Sequence, residues 1–177
     1  MDKTETASKS DSLLAEVKSL RGRRQIVDVE EKTVKLVIFS LDDNMFAFYG
    51  DFIKEILQSL KVFFVPGCPD FIVGVINIRG DIESVLDIRG FLGCAPKNYG
   101  TDITLQKNNR IVIGQTDDFK SGIVVDSVVD VLDVSVHSIK ASTAAISGAL
   151  KDFAIGEFLY SDKNVIILDF NKIPDKL

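Results

Sequence analysis

The residues of this chain that could do chemistry are few and scattered. One histidine, His137, stands in Asp133-Val134-Ser135-Val136-His137-Ser138. Serine, histidine and aspartate are therefore all present, but no serine sits in a nucleophile-elbow pattern, and no hydrolytic triad is read. There is no His-Glu-x-x-His, no Cys-x-x-Cys and no Cys/His set at ligand spacing, so neither a metal nor a cofactor is expected. No Walker A or Gly-x-Gly-x-x-Gly loop occurs; Gly74, Gly80, Gly90 and Gly93 are spaced as turn residues. The acid pairs Asp42-Asp43 and Asp117-Asp118 read as turn chemistry, and Asp87 and Asp169 as caps on the turns that follow them. The expectation is a protein that is not an enzyme.

What remains is a cation in apolar company. FIVGVINIRGDIESVLDIRGFLG, residues 71–93, carries Ile-Arg-Gly twice, at Ile78-Arg79-Gly80 and Ile88-Arg89-Gly90. Arg79 falls at the end of what reads as a buried strand, where a guanidinium needs a carboxylate to receive its fork. Glu55, in Ile53-Lys54-Glu55-Ile56, is the candidate. Two readings stand side by side. The pair fixes how residues 52–57 cross the sheet, or it lines a groove used by a partner.

Those residues must be positioned by strands. Val34–Leu41, Met45–Tyr49, Gly74–Ile78, Ile82–Ile88, Ile111–Ile113, Gly122–Val125, Val128–Val134, Ile155–Tyr160 and Val165–Phe170 are rich in β-branched and aromatic residues and bounded by turn signals. Short strands at short spacing predict a barrel or sandwich. A short helical turn is expected to end near Phe91-Leu92-Gly93, and residues 138–150 form a loop or short helix. Ser12 to Leu20 has apolar residues at helical spacing, which predicts a helix near 12–21 within an otherwise disordered extension over 1–33.

The 177 residues are 46% hydrophobic and 27% charged, with a formal net charge of −5. That suffices for one domain or two small lobes, and the acidic balance argues against nucleic acid as the main partner. Cys68 and Cys94 show no pairing pattern and read as free thiols of a reducing compartment. The polar N-terminus carries no signal-peptide pattern, and no apolar run reaches membrane-spanning length, so the protein is expected to be cytoplasmic.

The chain also repeats. Residues 36–57 lie without a gap on 111–132, with identities at Val37/Val112, Ile38/Ile113, Asp42/Asp117, Asp43/Asp118, Asp51/Asp126 and Leu57/Leu132. Residues 71–90 lie on 153–172, where Phe71/Phe153, Gly74/Gly156, Leu86/Leu168 and Asp87/Asp169 coincide. Two matches in the same order predict two related β lobes, one at about 34–94 and the other at about 110–173 within a domain over 34–175, with exchange of strands between them left open. Under this alignment Arg79 falls opposite Ser161 and Glu55 opposite Asp130, so the first half alone holds the possible ion pair.

Here the residues reach a family. Phe52-Ile53-Lys54-Glu55-Ile56, then Val65-Pro66-Gly67-Cys68-Pro69-Asp70-Phe71-Ile72-Val73-Gly74-Val75-Ile76-Asn77-Ile78-Arg79-Gly80, then Val85-Leu86-Asp87-Ile88, resemble the CheW-like domain of bacterial chemotaxis coupling proteins. Gly122 to Leu132 looks like that family's second-lobe segment, so the resemblance spans roughly 34–173. Ser84 stands where the family usually has proline, and Phe48-Tyr49-Gly50-Asp51 replaces its usual approach to a helix-like turn. The resemblance implies a mainly β fold of two SH3-like five-stranded barrel lobes with short helices. It implies a scaffold that couples methyl-accepting chemotaxis receptors to a CheA-type histidine kinase, with no catalysis, no nucleic acid and no insertion into a membrane. Carried over by position, the receptor groove would include Ile53, Glu55, Ile56, Arg79, Val125, Val128 and Val129. Kinase contacts would fall near Lys140 and Ala144. Two alternatives are carried: a CheW-like adaptor of a chemotaxis-like pathway for pili or gliding, and a barrel-fold enzyme or nucleic-acid binder.

Overall fold

The structure, a computed structural model, describes residues 31–58, 61–100, 103, 105–141 and 148–177. The helix expected near 12–21 and the position Ala144 lie outside them. Residues 32–177 form one compact unit. Its strands are β1 (Thr33–Leu41), β2 (Asn44–Tyr49), β3 (Ile53–Gln58), β4 (Ile72–Ile78), β5 (Asp81–Leu86), β6 (Arg110–Gln115), β7 (Lys120–Val125), β8 (Ser127–Ser135), β9 (Lys140–Ala141), β10 (Ala154–Tyr160) and β11 (Lys163–Leu168). The described helical elements are single 3-10 turns, among them Gly50–Phe52, Gly90–Leu92, Val136–Ser138 and Gly148–Asp152.

Two sheets result, consistent with two SH3-like lobes. Sheet A runs β8-β1-β2-β11-β10-β9 and sheet B runs β3-β6-β7-β5-β4. Each sheet draws on both halves of the chain. The β1–β2 hairpin of the first half sits in sheet A among strands of the second half. The β6–β7 hairpin of the second half sits in sheet B among strands of the first. The halves 34–94 and 110–173 are thus interleaved, and the interleaving is reciprocal.

The repeat read from sequence governs pairing down to register. Leu36 faces Leu132 across β1 and β8, and the equivalent pair Ile111 and Leu57 faces across β6 and β3. The parallel pair Val85↔Gly122 in sheet B matches Ile167↔Ala47 in sheet A. A bulge between Ile72 and Gly74 recurs between Ala154 and Gly156. At Gly74 a Cβ would stand 2.4 Å from the Phe63 carbonyl oxygen, so the close approach of that backbone requires glycine.

Continuous apolar runs in these strands have a simple cause. Side chains alternate between sheet faces, and here both faces are buried. On β1, Leu36 and Ile38 enter the core of sheet A's lobe, while Phe39 and Leu41 enter a core shared by the two sheets. On β6, Ile111 and Ile113 fill the core of sheet B's lobe while Val112 joins the shared one. The shared core gathers Phe46, Phe48, Leu86, Ile88, Ile123, Val125, Phe153, Leu168 and Phe170 from both sheets. At about 1.5–3 kcal/mol for each large apolar side chain fully buried, this cluster is what joins the lobes.

Two elements differ from expectation. Ile53–Gln58 form an edge strand, β3, because β6 offers a free edge; a bulge between Ile53 and Glu55 erases the alternation that would have marked a strand in Ile-Lys-Glu-Ile-Leu-Gln. Sheet A has six strands rather than five, since Lys140–Ala141 pairs with Glu157 and Gly156.

Candidate partner surface and the buried arginine beside it

Arg79 lies beyond the strand rather than inside it. Ile78 pairs with Asp81, leaving Arg79 and Gly80 as a two-residue hairpin turn, with φ of 55° and 105°. Positive φ at both positions is the primed turn that suits the strand twist, and the Asn77 carboxamide oxygen accepts from the Gly80 N–H at 3.0 Å. The expectation of a guanidinium at the end of a buried strand is therefore corrected: the side chain is 84% exposed. It does reach Glu55, donating from Nη2 to Oε2 at 3.2 Å. Nearby, Lys120 pairs with Glu83. That hydrogen bond, against some loss of hydration and helped by Asp81 and Glu55, holds the Lys120 ammonium above its ordinary pKa. The result is a charged rim of both signs along one side of sheet B.

The apolar residues expected with this pair divide by depth. Ile53 and Val128 are half-buried and pack from their two sheets onto the same shared core. Ile56 is half-buried on edge strand β3. Val129 is 42% exposed on β8, the edge strand of sheet A, and lines a cleft of about 310 Å3 with Met45, Tyr160 and Lys163. Val125 is fully buried in the shared core. It cannot meet a partner, because the terminus of β7 points into that core rather than onto a groove; it supports the surface from beneath. Lys140 is exposed on the short edge strand β9. His137 is exposed in a 3-10 turn, its backbone N–H donating to Ser135 Oγ. Among the described residues no group of three or more His, Cys, Asp or Glu is placed to hold a metal.

The most conspicuous charged residue escaped the sequence reading. Arg89, not Arg79, is the buried arginine, with none of its surface exposed. It sits where the chain leaves β5 for the Gly90–Leu92 turn. Its Nη1 donates to both Asp87 oxygens at 3.0 and 3.1 Å and approaches the Tyr99 hydroxyl at 3.2 Å. Nη2 lies 2.8 Å from Asp126 Oδ1, and Nε lies 3.7 Å from Asp42 Oδ1. The Nη2 approach is short but poorly aligned, and Nε lies too far from Asp42 for a hydrogen bond, so neither nitrogen makes one. Burial opposes the Arg89 charge, yet Asp87 and Asp126 outweigh it and hold the guanidinium above its ordinary value.

The surrounding groups respond to that charge. Asp126 accepts from Lys97 at 2.6 Å and from the Asp42 backbone N–H at 2.7 Å. Burial works against its ionised form, but Lys97, the Asp42 N–H and Arg89 together keep its carboxyl below the usual range. Tyr99 donates to Asp87 Oδ2 at 3.0 Å. Burial first, then the Asp87 charge, pushes its phenol well above the ordinary value. The Asp87 carboxylate also accepts from the Arg89 backbone N–H at 3.0 Å, and Asp169 accepts from Asn171 in the same way at the same distance. The capping role read from both aspartates is therefore present, with a second role added at Asp87 alone. The signal that could have revealed it is a difference between the repeats: Arg89 stands where the second half has Asn171.

Two edge strands, β3 and β8, border one apolar core, with a mixed-charge rim beside it. The family described as the CheW-like domain matches residues 35–177. The chain belongs to that family of non-catalytic scaffold proteins of chemotaxis. Among its relatives, the chemotaxis protein CheW of Bacillus subtilis (strain 168) is 29% identical over 143 residues, covering 80% of this chain and 87% of the relative. The chemotaxis protein CheW of Treponema pallidum (strain Nichols) is 23% identical over 159 residues, covering 88% and 90%. The crystal structure of the scaffolding protein TtCheW from Thermoanaerobacter tengcongensis superposes with a TM-score of 0.67 at 27% identity, covering 78% of this chain and 90% of that one. Protein PilI of Pseudomonas aeruginosa is 27% identical over 107 residues, covering 60% and 56%. Among the described residues no helix is long and apolar enough to cross a membrane.

Proposed function

We propose that this protein is a cytoplasmic adaptor that couples chemoreceptor signalling tips to a CheA-type histidine kinase. The receptor tip, an amphipathic helical surface, lies along a groove between β3 and β8. Ile53, Ile56, Val128 and Val129 supply apolar contact, and Glu55 with Arg79 sets register at the rim. Lys140 and Ala144 mark the segment that meets the kinase. Each contact is small, and arrays of receptors multiply its strength. The observation that carries this reading is the Arg79–Glu55 pair, 3.2 Å apart, with Arg79 open to solvent and Glu55 half-buried beside isoleucines on an edge strand.

Such a pair contributes only about 0–1 kcal/mol to folding, so its removal separates partner binding from stability. Arg79→Ala is expected to abolish receptor-dependent kinase activation in a reconstituted assay while the chain stays folded; full activation by the folded variant would end the groove proposal. The similarity to PilI favours a second reading, an adaptor of a chemotaxis-like pathway serving pili. Identifying the kinase that co-purifies with the tagged protein from its own cells distinguishes the two.

A further inference from the structure

We propose that Arg89 is the positioning residue of the inter-lobe groove: a buried cation that sets the angle between the two sheets by gripping the chain where it passes from one to the other. The three arms of its guanidinium reach three differently placed pieces of chain. Asp87 follows β5 of sheet B, Asp42 opens the β1–β2 turn of sheet A, and Asp126 is the single residue between β7 of sheet B and β8 of sheet A. The crossing is tied down further, since the Asp126 N–H donates to the Ser40 carbonyl at 3.0 Å and Asn109 Nδ2 donates to the Val125 carbonyl at 3.2 Å. A planar guanidinium spreads its charge over three arms, so one side chain faces all three carboxylates at once; a lysine would bring a single point charge that cannot reach all three.

The grip is uneven. Toward Asp87 the bonds are complete, two from Nη1 and one from the backbone N–H. Toward Asp126 the contact is short but poorly aligned, and toward Asp42 it is too long for a hydrogen bond, so Nε and Nη2 are buried with charge attraction alone. Arg89 is thus anchored to sheet B, and sheet A is the side whose angle it adjusts. Val128 follows Asp126 by two residues and packs on the shared core with Ile53 from the other sheet. A change of angle at Asp126 therefore changes the spacing of the two groove walls. The role of the angle in receptor binding rests on the reading given under Proposed function; the angle itself does not.

The test uses amide residual dipolar couplings of the full chain, which report the orientation of each sheet separately. In the wild type one alignment frame is expected to fit both sheets. In Arg89→Lys each sheet is expected to keep its own internal geometry while the common frame is lost, a shift that a merely stabilising residue would not cause. A folded Arg89→Lys chain with the wild-type angle would overturn the proposal. If that variant does not fold, Asp42→Asn removes only the exposed sheet-A arm; it is expected to shift the angle in the same direction by less, and an unchanged angle there would overturn the proposal equally. Binding of a receptor-tip helical hairpin is expected to weaken in step with the shift. A shifted angle with unchanged hairpin binding would leave Arg89 as the positioning residue of the two sheets and remove the groove as the receptor site.

Discussion

The chain passes between its sheets at two equivalent places, and it is held there by two different kinds of force. At the first passage, Gly50–Phe52, the Phe52 ring stacks on Phe170 at 5.8 Å, and Phe170 meets Phe48 edge-on at 5.3 Å. At the second passage, Asp126, a guanidinium sits among three carboxylates. The two sites correspond through the repeat: Phe170 and Asn171 occupy the places of Ile88 and Arg89. Duplication fixed the path of the backbone, since registers, bulges and caps recur, but left open what would hold each crossing. An aromatic stack is short-ranged and indifferent to pH. A buried ionic knot is sensitive to charge, and strongly so when any partner is removed. One end of the inter-lobe joint is therefore set by shape and the other by electrostatics.

The largest break in this comparison comes from giving the first half the residue of the second. Arg89→Asn removes the cation that Asp87 and Asp126 share, leaving Lys97 on Asp126 alone, and is expected to lower the free energy of unfolding in urea by about 3–5 kcal/mol. A change of under 1 kcal/mol would mean that the knot is not what holds this crossing. Next is the aromatic end. A Cβ at Gly114 would fall 2.1 Å from the Phe170 ring, so Gly114→Ala is expected to destabilise by about 1–3 kcal/mol. Phe170→Leu should relieve that strain, so the double variant is expected to lose less than the sum of the singles; strict additivity would show that the ring does not occupy this space.

The pH dependence separates the two ends more finely. The Asp126 carboxyl is held low in the folded chain, so its stabilisation is present above the unfolded value of about 4 and is lost as pH falls through the folded one. Asp126→Asn is expected to flatten the acid limb of the stability profile. The Tyr99 phenol is held high, so above pH about 10 the unfolded chain ionises before the folded one, and stability falls. Tyr99→Phe should flatten that alkaline limb. Phe170→Leu should lower the whole profile without changing either limb. The smallest effect on folding belongs to Arg79→Ala, about 0–1 kcal/mol by thermal or urea unfolding, because the pair is exposed. A loss of several kcal/mol would give the pair the structural role that the sequence left open.

Much of the architecture was legible because it rests on local pattern. Strands such as Thr33–Leu41 and Lys120–Val125 announce themselves through β-branched runs, and the offset between the repeats relates the registers found in one sheet to those in the other. Interleaving of the halves was not legible, since hairpins of like pattern fit either sheet and sequence does not say which edge they choose. β3 was obscured by its bulge. The Arg79–Glu55 contact could be suggested from residue types, but its exposure depended on a hairpin turn two residues long. Arg89 stayed hidden because its partners Asp42 and Asp126 lie 47 and 37 residues away and converge only after both sheets form. Ionic clusters of that kind leave no periodicity, and a lone arginine after a strand reads as surface.

The interleaving bears on how such a chain can be made. During synthesis β3 must wait for β6, and the β1–β2 hairpin for β8 and β11, so no early portion can close a lobe and be left to ripen alone. A fragment ending near residue 94 would hold two hairpins and an orphan strand, with apolar faces open to any passer-by. Two separate fragments, cut between β5 and β6, would instead need each other, and mixing them should regenerate the whole where neither alone gives a folded product.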